Sequence, residues 1–246
     1  DDTINGHPVT AVATSGWSQV GTISSLTIPN SVTAFGGFRD KRNIRGVTFE
    51  SGSPITALPG YAFSGMNELT SVTLPDHLLT LPDGAFKYDS GLTSIVLPDT
   101  ITYIDSENGC FDGTGITTTN LPRDLVRIRG HAFRSMSLGA VTLPAGLTTI
   151  GEQAFYRAGI TSLTLNSALQ TIGYQAFDGA LDSSITSLTF PDGLTTIGGY
   201  AFANNSLTSV TIPASVRTIG DSAFAMMSHP AITYSAPEFT NTLAPD

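Results

Sequence analysis

Charged residues are scarce in this chain of 246 amino acids. Asp, Glu, Lys and Arg together make up 13% of the sequence, about half of the usual share in a soluble domain. This scarcity argues against a coiled coil, a helical bundle or a charge-driven disordered chain. Only 11 basic residues face 20 acidic ones, and the formal net charge is −9. The balance argues against nucleic-acid binding, because neutralising phosphates requires an excess of Lys and Arg.

Cysteine and long apolar runs are also rare. The single cysteine, Cys110, leaves no partner for an internal disulfide and excludes a zinc site built on several thiolates. No apolar run approaches the ~20 residues that a membrane-spanning helix needs. The sequence therefore predicts no membrane insertion by this chain.

The chain is rich in a repeat of about two dozen residues. The segment LTSVTIPASVRTIGDSAF (207–224) recurs upstream, for example as TSLTFPDGLTTIGGYAF (186–202). One apolar position of the motif is filled by Ile28, Phe49, Leu74, Leu97, Leu121, Leu143, Leu165, Phe190 and Ile212. An aromatic position is filled by Phe38, Phe63, Phe86, Phe111, Phe133, Phe155, Phe177, Phe202 and Phe224. A leading half-repeat over 9–17 places Trp17 at the same position, and the segment AITY (231–234) supplies a tenth strand.

One unit has a simple physical interpretation. Val210-Thr211-Ile212 alternates apolar, polar and apolar residues, which predicts a short strand with one buried face. Pro213 ends this strand because it lacks the N–H that a ladder requires. Ala223-Phe224 then inserts a ring into the core, in a short 3₁₀ or helical turn. Since one unit cannot bury its own apolar face, units must stack, and we predict a single solenoid over residues 1–234 followed by a linker over 235–246.

The pattern L-x-x-L-x-L-P-x-x-L-x-x-I-G-x-x-A-F resembles the BspA-like class of leucine-rich repeats over about 225 residues. The resemblance implies an α/β-type solenoid, mostly β with short 3₁₀ or helical turns, as a right-handed curved array with parallel strands on its concave face. It also implies secretion or display on a cell surface, a role in adhesion, no catalytic activity and no cofactor. The opening TINGHPVTAV is similar to the start of such arrays after a first strand, which implies that the chain is a piece of a longer protein.

Threonine dominates the position between the two buried residues of each predicted strand, where the side chain faces the concave surface. The structural interpretation is that threonine favours strands and that Thr–Thr pairs stabilise neighbouring coils. The functional interpretation is a surface for an extended peptide, a glycan or another copy of the protein. A flat threonine array matching ice is a minor alternative. The candidate ligand-binding residues are Thr27, Thr48, Thr73, Thr142, Thr164, Thr189, Thr211 and Thr233.

A basic cluster interrupts the second repeat, where Arg39, Lys41, Arg42 and Arg45 replace the usual short turn. Such a cluster is either a solvated edge balanced by nearby acids or a docking patch for an acidic partner or a sulfated glycan.

Other reactive side chains do not form a site. Cys110 fills the alanine position before Phe111, which predicts a buried thiol without a histidine partner. The four histidines fall at different motif positions, so we expect no metal site; they are His7, His77, His131 and His229.

The sequence thus predicts a non-enzymatic module that binds a protein or a glycan on a host cell, a matrix or a neighbouring cell. A structural spacer and a self-associating array are the alternatives.

Overall fold

In a computed structural model of the chain, the residues described are 3–4, 7–13, 22–117, 120–227 and 231–235. Trp17 and most of the predicted linker lie outside these ranges, so the boundaries at 9–17 and 235–246 stay predictions. An antiparallel pair, β1 (Thr3–Ile4) and β2 (His7–Pro8), opens the chain. The other strand pairs between the described residues are parallel.

A first row of strands forms where the sequence analysis places it, because β-branched and aliphatic residues alternate with Ser and Thr. Equivalent residues pair in register from coil to coil, as Val210 does with Leu188 and Ile232. The confirmed tenth strand closes the row. These strands are β4 (Leu26–Ile28), β6 (Gly46–Phe49), β7 (Ser71–Thr73), β11 (Gly139–Thr142), β13 (Ile160–Thr164), β15 (Ser187–Thr189), β17 (Ser209–Ile212) and β19 (Ala231–Tyr234).

A second row of two-residue strands was not predicted. In most of these strands a threonine faces outward and an isoleucine or leucine faces the core. Seven of them, namely β8, β9, β10, β12, β14, β16 and β18, form one sheet, and β3 and β5 form a separate pair. The strands are β3 (Ala11–Val12), β5 (Ala34–Phe35), β8 (Thr80–Leu81), β9 (Tyr103–Ile104), β10 (Arg127–Ile128), β12 (Thr149–Ile150), β14 (Thr171–Ile172), β16 (Thr196–Ile197) and β18 (Thr218–Ile219).

The segment around each core phenylalanine contains turns and, among the described residues, no helix. The expected 3₁₀ or helical turn is absent because every second backbone N–H bonds to the next coil, while those between them, such as that of Tyr156, bond within their own coil. Gln153, Phe155 and Arg157 donate to carbonyls one coil ahead at 2.8, 2.9 and 3.0 Å. Gln153 and Arg157 adopt left-handed backbone conformations with φ of 51°, which turn every second N–H toward the neighbour.

The phenylalanines form a single column through the core, as predicted. Successive rings from Phe63 to Phe224 have centroids 5.1–5.7 Å apart and planes within 14° of parallel. Phe38 joins the column at a tilt, 6.4 Å from Phe63. Each coil therefore contributes a ring to a core that no single coil could build.

Candidate functional site

The predicted threonines lie on the outward face of the first row of strands, in what we call the threonine ladder. Seven are exposed and Thr48 is half-buried. They stand in register within each paired group, as Thr189 does with Thr211 and Thr211 with Thr233. The members of the ladder are Thr27, Thr48, Thr73, Thr142, Thr164, Thr189, Thr211 and Thr233.

The hydroxyls of the ladder have no hydrogen-bond partner within the described ranges. Several threonines elsewhere on the coils differ, because their hydroxyls tie one coil to the one before it. Thr148 donates to the carbonyl of Val126 at 3.2 Å, and Thr195 donates to that of Gln170 at 3.0 Å. The ladder hydroxyls are therefore available to an external partner.

The structure divides the ladder into three groups instead of one continuous column. The first row of strands is not formed at Val96 and Asn120, where threonine is missing. A second break separates β13 from β15, although Thr164 and Thr189 occupy successive coils. A regular array that could match an extended lattice is therefore interrupted twice.

The second break opens a slot of about 460 Å³ in the first row of strands. No Cα atom of β13 lies within 8 Å of a Cα atom of β15, whereas paired strands are ~4.8 Å apart. Thr164 and Thr189 both line this slot, together with Leu163, Leu165 and Leu188.

Two of the four residues of the predicted basic cluster contact neighbouring side chains. Arg39 lies 4.8 Å from the centre of the Tyr61 ring and 3.7 Å from an oxygen of Asp40. Arg45 pairs with Glu68 at 3.2 Å. Lys41 is half-buried and Arg42 is exposed, and neither has an ion-pair partner in the part of the chain that the structure describes. These two side chains carry most of the cluster's capacity for an acidic partner.

The second row of strands carries a mixed-charge groove that sequence reasoning missed. Arg127 lies beside the exposed ring of Tyr103 in the sheet, and both point outward from adjacent coils. A cavity of about 490 Å³ there is lined by Arg127, Arg129, Glu107 and Glu152. Arg129 is already paired with Asp105 at 3.1 Å. The Thr-Ile dipeptide that recurs directly before the motif glycine is the trace of these strands in the sequence, but two residues are too few for alternation to identify a strand.

Buried titratable groups serve the fold. Cys110 is fully buried, as predicted, and burial raises the pKa of its thiol well above the ordinary value. A thiol kept protonated and out of reach of solvent is not a nucleophile. Within the described ranges, no three His, Cys, Asp or Glu side chains come together as a metal-binding group, and no helix is long and apolar enough to cross a membrane.

Comparison with known proteins gives the family. The BspA type leucine-rich repeat region matches in six copies over residues 10–108 and 106–231. No curated protein matches the chain. A leucine-rich cell surface protein from Faecalibacterium prausnitzii is 22% identical over 94% of this chain and 84% of its own, with a TM-score of 0.45. The pneumococcal vaccine antigen PcpA is 18% identical over 95% and 76%, with a TM-score of 0.47.

The family match spans nearly all the described coils, and its repeat is the one that builds the phenylalanine column and the threonine ladder. The chain belongs to the BspA-type leucine-rich repeat family.

Proposed function

We propose that this chain is a non-enzymatic interaction module, displayed outside the cell, whose threonine ladder binds a protein or a glycan. The observation that carries the proposal is the set of exposed ladder hydroxyls without intramolecular partners. Each can donate one hydrogen bond and accept two. The ladder's outward residues are uncharged, so a neutral partner loses little solvation on binding.

Family membership supports the interaction role, because a solenoid presents an extended surface over which contacts can be distributed. The name of the Faecalibacterium relative, a cell surface protein, supports the location outside the cell.

The test is a binding screen of the whole chain against purified extracellular-matrix proteins and a glycan array. Thr211→Lys places a long cation in the ladder and should weaken binding at least tenfold. Thr218→Lys is the matched control, since Thr218 is an exposed threonine of the same coil in the second row. An equal loss of binding in both variants would contradict a role for the ladder. If the chain binds none of the probes, a role as a structural spacer is favoured.

An acidic partner at the basic cluster is a second contact that we propose. Arg42 is exposed and lacks an ion-pair partner among the described residues, so Arg42→Glu should weaken binding of a sulfated glycan and make it less dependent on salt. Unchanged binding would remove the cluster from the proposal.

Self-association is the third candidate. Strand β19 pairs with β17 and with no other described strand, and an unpaired edge is a template for another chain. Sedimentation of the chain over a range of concentrations tests this idea, and a strictly monomeric chain would contradict it.

A further inference from the structure

The slot between β13 and β15 is a local opening between two consecutive coils that stay in contact elsewhere. On the second row the same two coils remain paired, with Thr171 in register with Thr196. In the core, Phe177 and Phe202 stack at 5.3 Å. The coils therefore touch along two sides and separate along the third, which makes the slot a wedge that opens on the ladder face.

The two walls of the slot are strand edges with unsatisfied main-chain groups. Within the described chain, β13 pairs with β11 alone and β15 with β17 alone. The carbonyl of Thr164 accepts from the N–H of Leu143, the residue after β11, at 3.0 Å. Because successive residues of a strand point their N–H and C=O to opposite sides, those of Leu163 and Leu165 face the slot. By the same alternation, those of Ser187 and Thr189 face it from the other wall.

The chain itself begins to fill the slot with an additional strand. The insertion that follows Phe177 brings Leu181 into a parallel bridge with Ile160. The N–H of Ile160 donates to the carbonyl of Ala180, and its carbonyl accepts from Asp182, both at 2.7 Å. After Asp182 the insertion leaves β13, and the edge beyond Ile160 is left without a partner strand. A register shift in β13 between Ile160 and Ser162 moves the alternation by one residue, so Leu163 and Leu165 face the same side as Ile160. A guest strand would lie along this same edge.

The slot opens because of where the insertion lies in its coil, and not because of how many residues the insertion adds. The motif spacing between Leu165 and Phe190 is the same as that between Phe49 and Leu74. In the earlier pair the strands stay together, with Thr48 in register with Thr73. The later insertion sits directly before β15 and holds its coil away from β13.

The lining of the slot defines the chemistry of an occupant. It has no charged side chain, so a charged segment would lose its hydration without compensation. Leu163, Leu165 and Leu188 are half-buried there. Val141 and Val210, the equivalents of Leu163 and Leu188, are only 4% and 1% exposed. An occupant with aliphatic residues at alternate positions would complete the burial of these side chains.

We propose that the slot binds an extended, uncharged peptide strand that forms main-chain hydrogen bonds with both β13 and β15. Its alternate residues are aliphatic toward the core and small and polar toward the ladder. This strand addition rests on the proposed function, since it names a partner class and a place for binding on the same face. A glycan is disfavoured here, because the free groups on the walls are peptide N–H and C=O.

The experiment uses the whole chain and a capped peptide that copies residues 160–166, ITSLTLN, with a fluorescent label. The control peptide has the same sequence with N-methyl groups on alternate amides. We expect the first peptide to bind and the second to bind at least tenfold more weakly. Amide hydrogen exchange at Leu165 and Thr189 should slow at least tenfold on binding.

Two variants test the slot. Ser187→Pro removes a slot-facing N–H and leaves the bonds from β15 to β17, so it should weaken peptide binding at least tenfold. Thr218→Lys, in the second row of strands, should leave peptide binding unchanged. A melting temperature within a few degrees of the parent chain verifies that each variant is folded.

The remaining outcomes would contradict the proposed binding of a partner strand in the slot. If the peptide does not bind, or binds without protecting Leu165 and Thr189, strand addition is wrong. The function proposed above is then still judged by its own screen. If these amides are already protected, and removing residues 236–246 exposes them, the occupant is the chain's own tail and not a partner.

Discussion

A single buried carboxyl should make the stability of this solenoid depend on pH. Asp89 is fully buried, and one of its oxygens accepts from the N–H of Met66 at 2.8 Å. The other oxygen is buried without a partner. Burial, with a smaller contribution from the charge of Asp40, raises the pKa of Asp89 to about 8 despite the lowering effect of the Met66 and Gly65 N–H groups. The folded chain therefore holds this carboxyl in its neutral form at physiological pH.

Asn205, at the equivalent position of another repeat, indicates the surroundings that we expect for the unpartnered oxygen of Asp89. Asn205 follows Phe202 by three residues, as Asp89 follows Phe86. The side-chain amide of Asn205 donates to the carbonyls of Phe177 and Phe202 at 2.8 Å each, and its oxygen accepts from Leu181 at 2.8 Å. From repeat symmetry we expect the carbonyls of Phe63 and Phe86 beside Asp89, where a protonated carboxyl would donate to them and an ionised one would be repelled.

The sign and size of the effect follow from the two pKa values. The pKa of Asp89 is raised from 3.8 to about 8 on folding, so its contribution to stability is complete below pH 3.8 and is lost as pH rises toward 8. Each pH unit in that window costs about 1.4 kcal/mol. The total loss is on the order of 5 kcal/mol by that rule, a large fraction of the stability of a typical domain.

The assay is denaturant unfolding followed by circular dichroism at pH 4 to 9. Asp89→Asn copies the Asn205 arrangement and should equal the parent near pH 4. At pH 7, three pH units higher, it should exceed the parent by about 4 kcal/mol. Asn205→Asp is the converse variant and should acquire the pH dependence that Asp89→Asn loses. A difference between Asp89→Asn and the parent that stays constant from pH 4 to 9 would refute the reasoning.

Three further predictions concern close packing. A Cβ on Gly198 would lie 2.5 Å from the carbonyl carbon of Gly173, so Gly198→Ala should lower the melting temperature by many degrees. Gly146→Ala, whose Cβ meets its nearest atom at 3.8 Å, should change it little; equal effects would contradict the steric argument. Phe155→Ala should cost about 3–5 kcal/mol in denaturant unfolding, and a cost below about 1 kcal/mol would remove the ring column as the core. Cys110 should react with a chromogenic thiol reagent only in denaturant, and rapid labelling of the native chain would show that it is accessible.

The fold could be predicted because the repeat records it directly. The aromatic position recurs in every unit, and a ring such as Phe155 can be buried only against its equivalents in the adjacent coils. The threonine ladder could be placed for a similar reason, since Thr211 stands between the core residues Val210 and Ile212. Both predictions need only the local alternation of residues and the demand that every coil bury the same face.

The second row of strands and the slot could not be predicted in this way. A two-residue strand such as Thr196–Ile197 is too short for alternation to distinguish it from a turn. Its pairing depends on Gly198, whose missing side chain lets successive backbones approach. The slot depends on the insertion lying directly before β15 and displacing that strand. The sequence shows only that this repeat has extra residues.

Main-chain groups become available for binding where the repeat is irregular, because in the regular coils these groups form hydrogen bonds with the neighbouring coils. In the closed ladder every main-chain group of β17 has β15 or β19 beside it, which leaves only side chains for a partner. Where the insertion at Leu181 displaces one coil, two edges lose their neighbours and main-chain recognition becomes available. The same argument applies to Asp89. At the equivalent position of another coil the side-chain amide of Asn205 donates to main-chain carbonyls, whereas Asp89 has one oxygen without a partner and can donate only when it is protonated. Departures from the repeat are therefore the places where this chain can respond to a partner or to pH, and the two experiments on β13–β15 and on Asp89 test that idea independently.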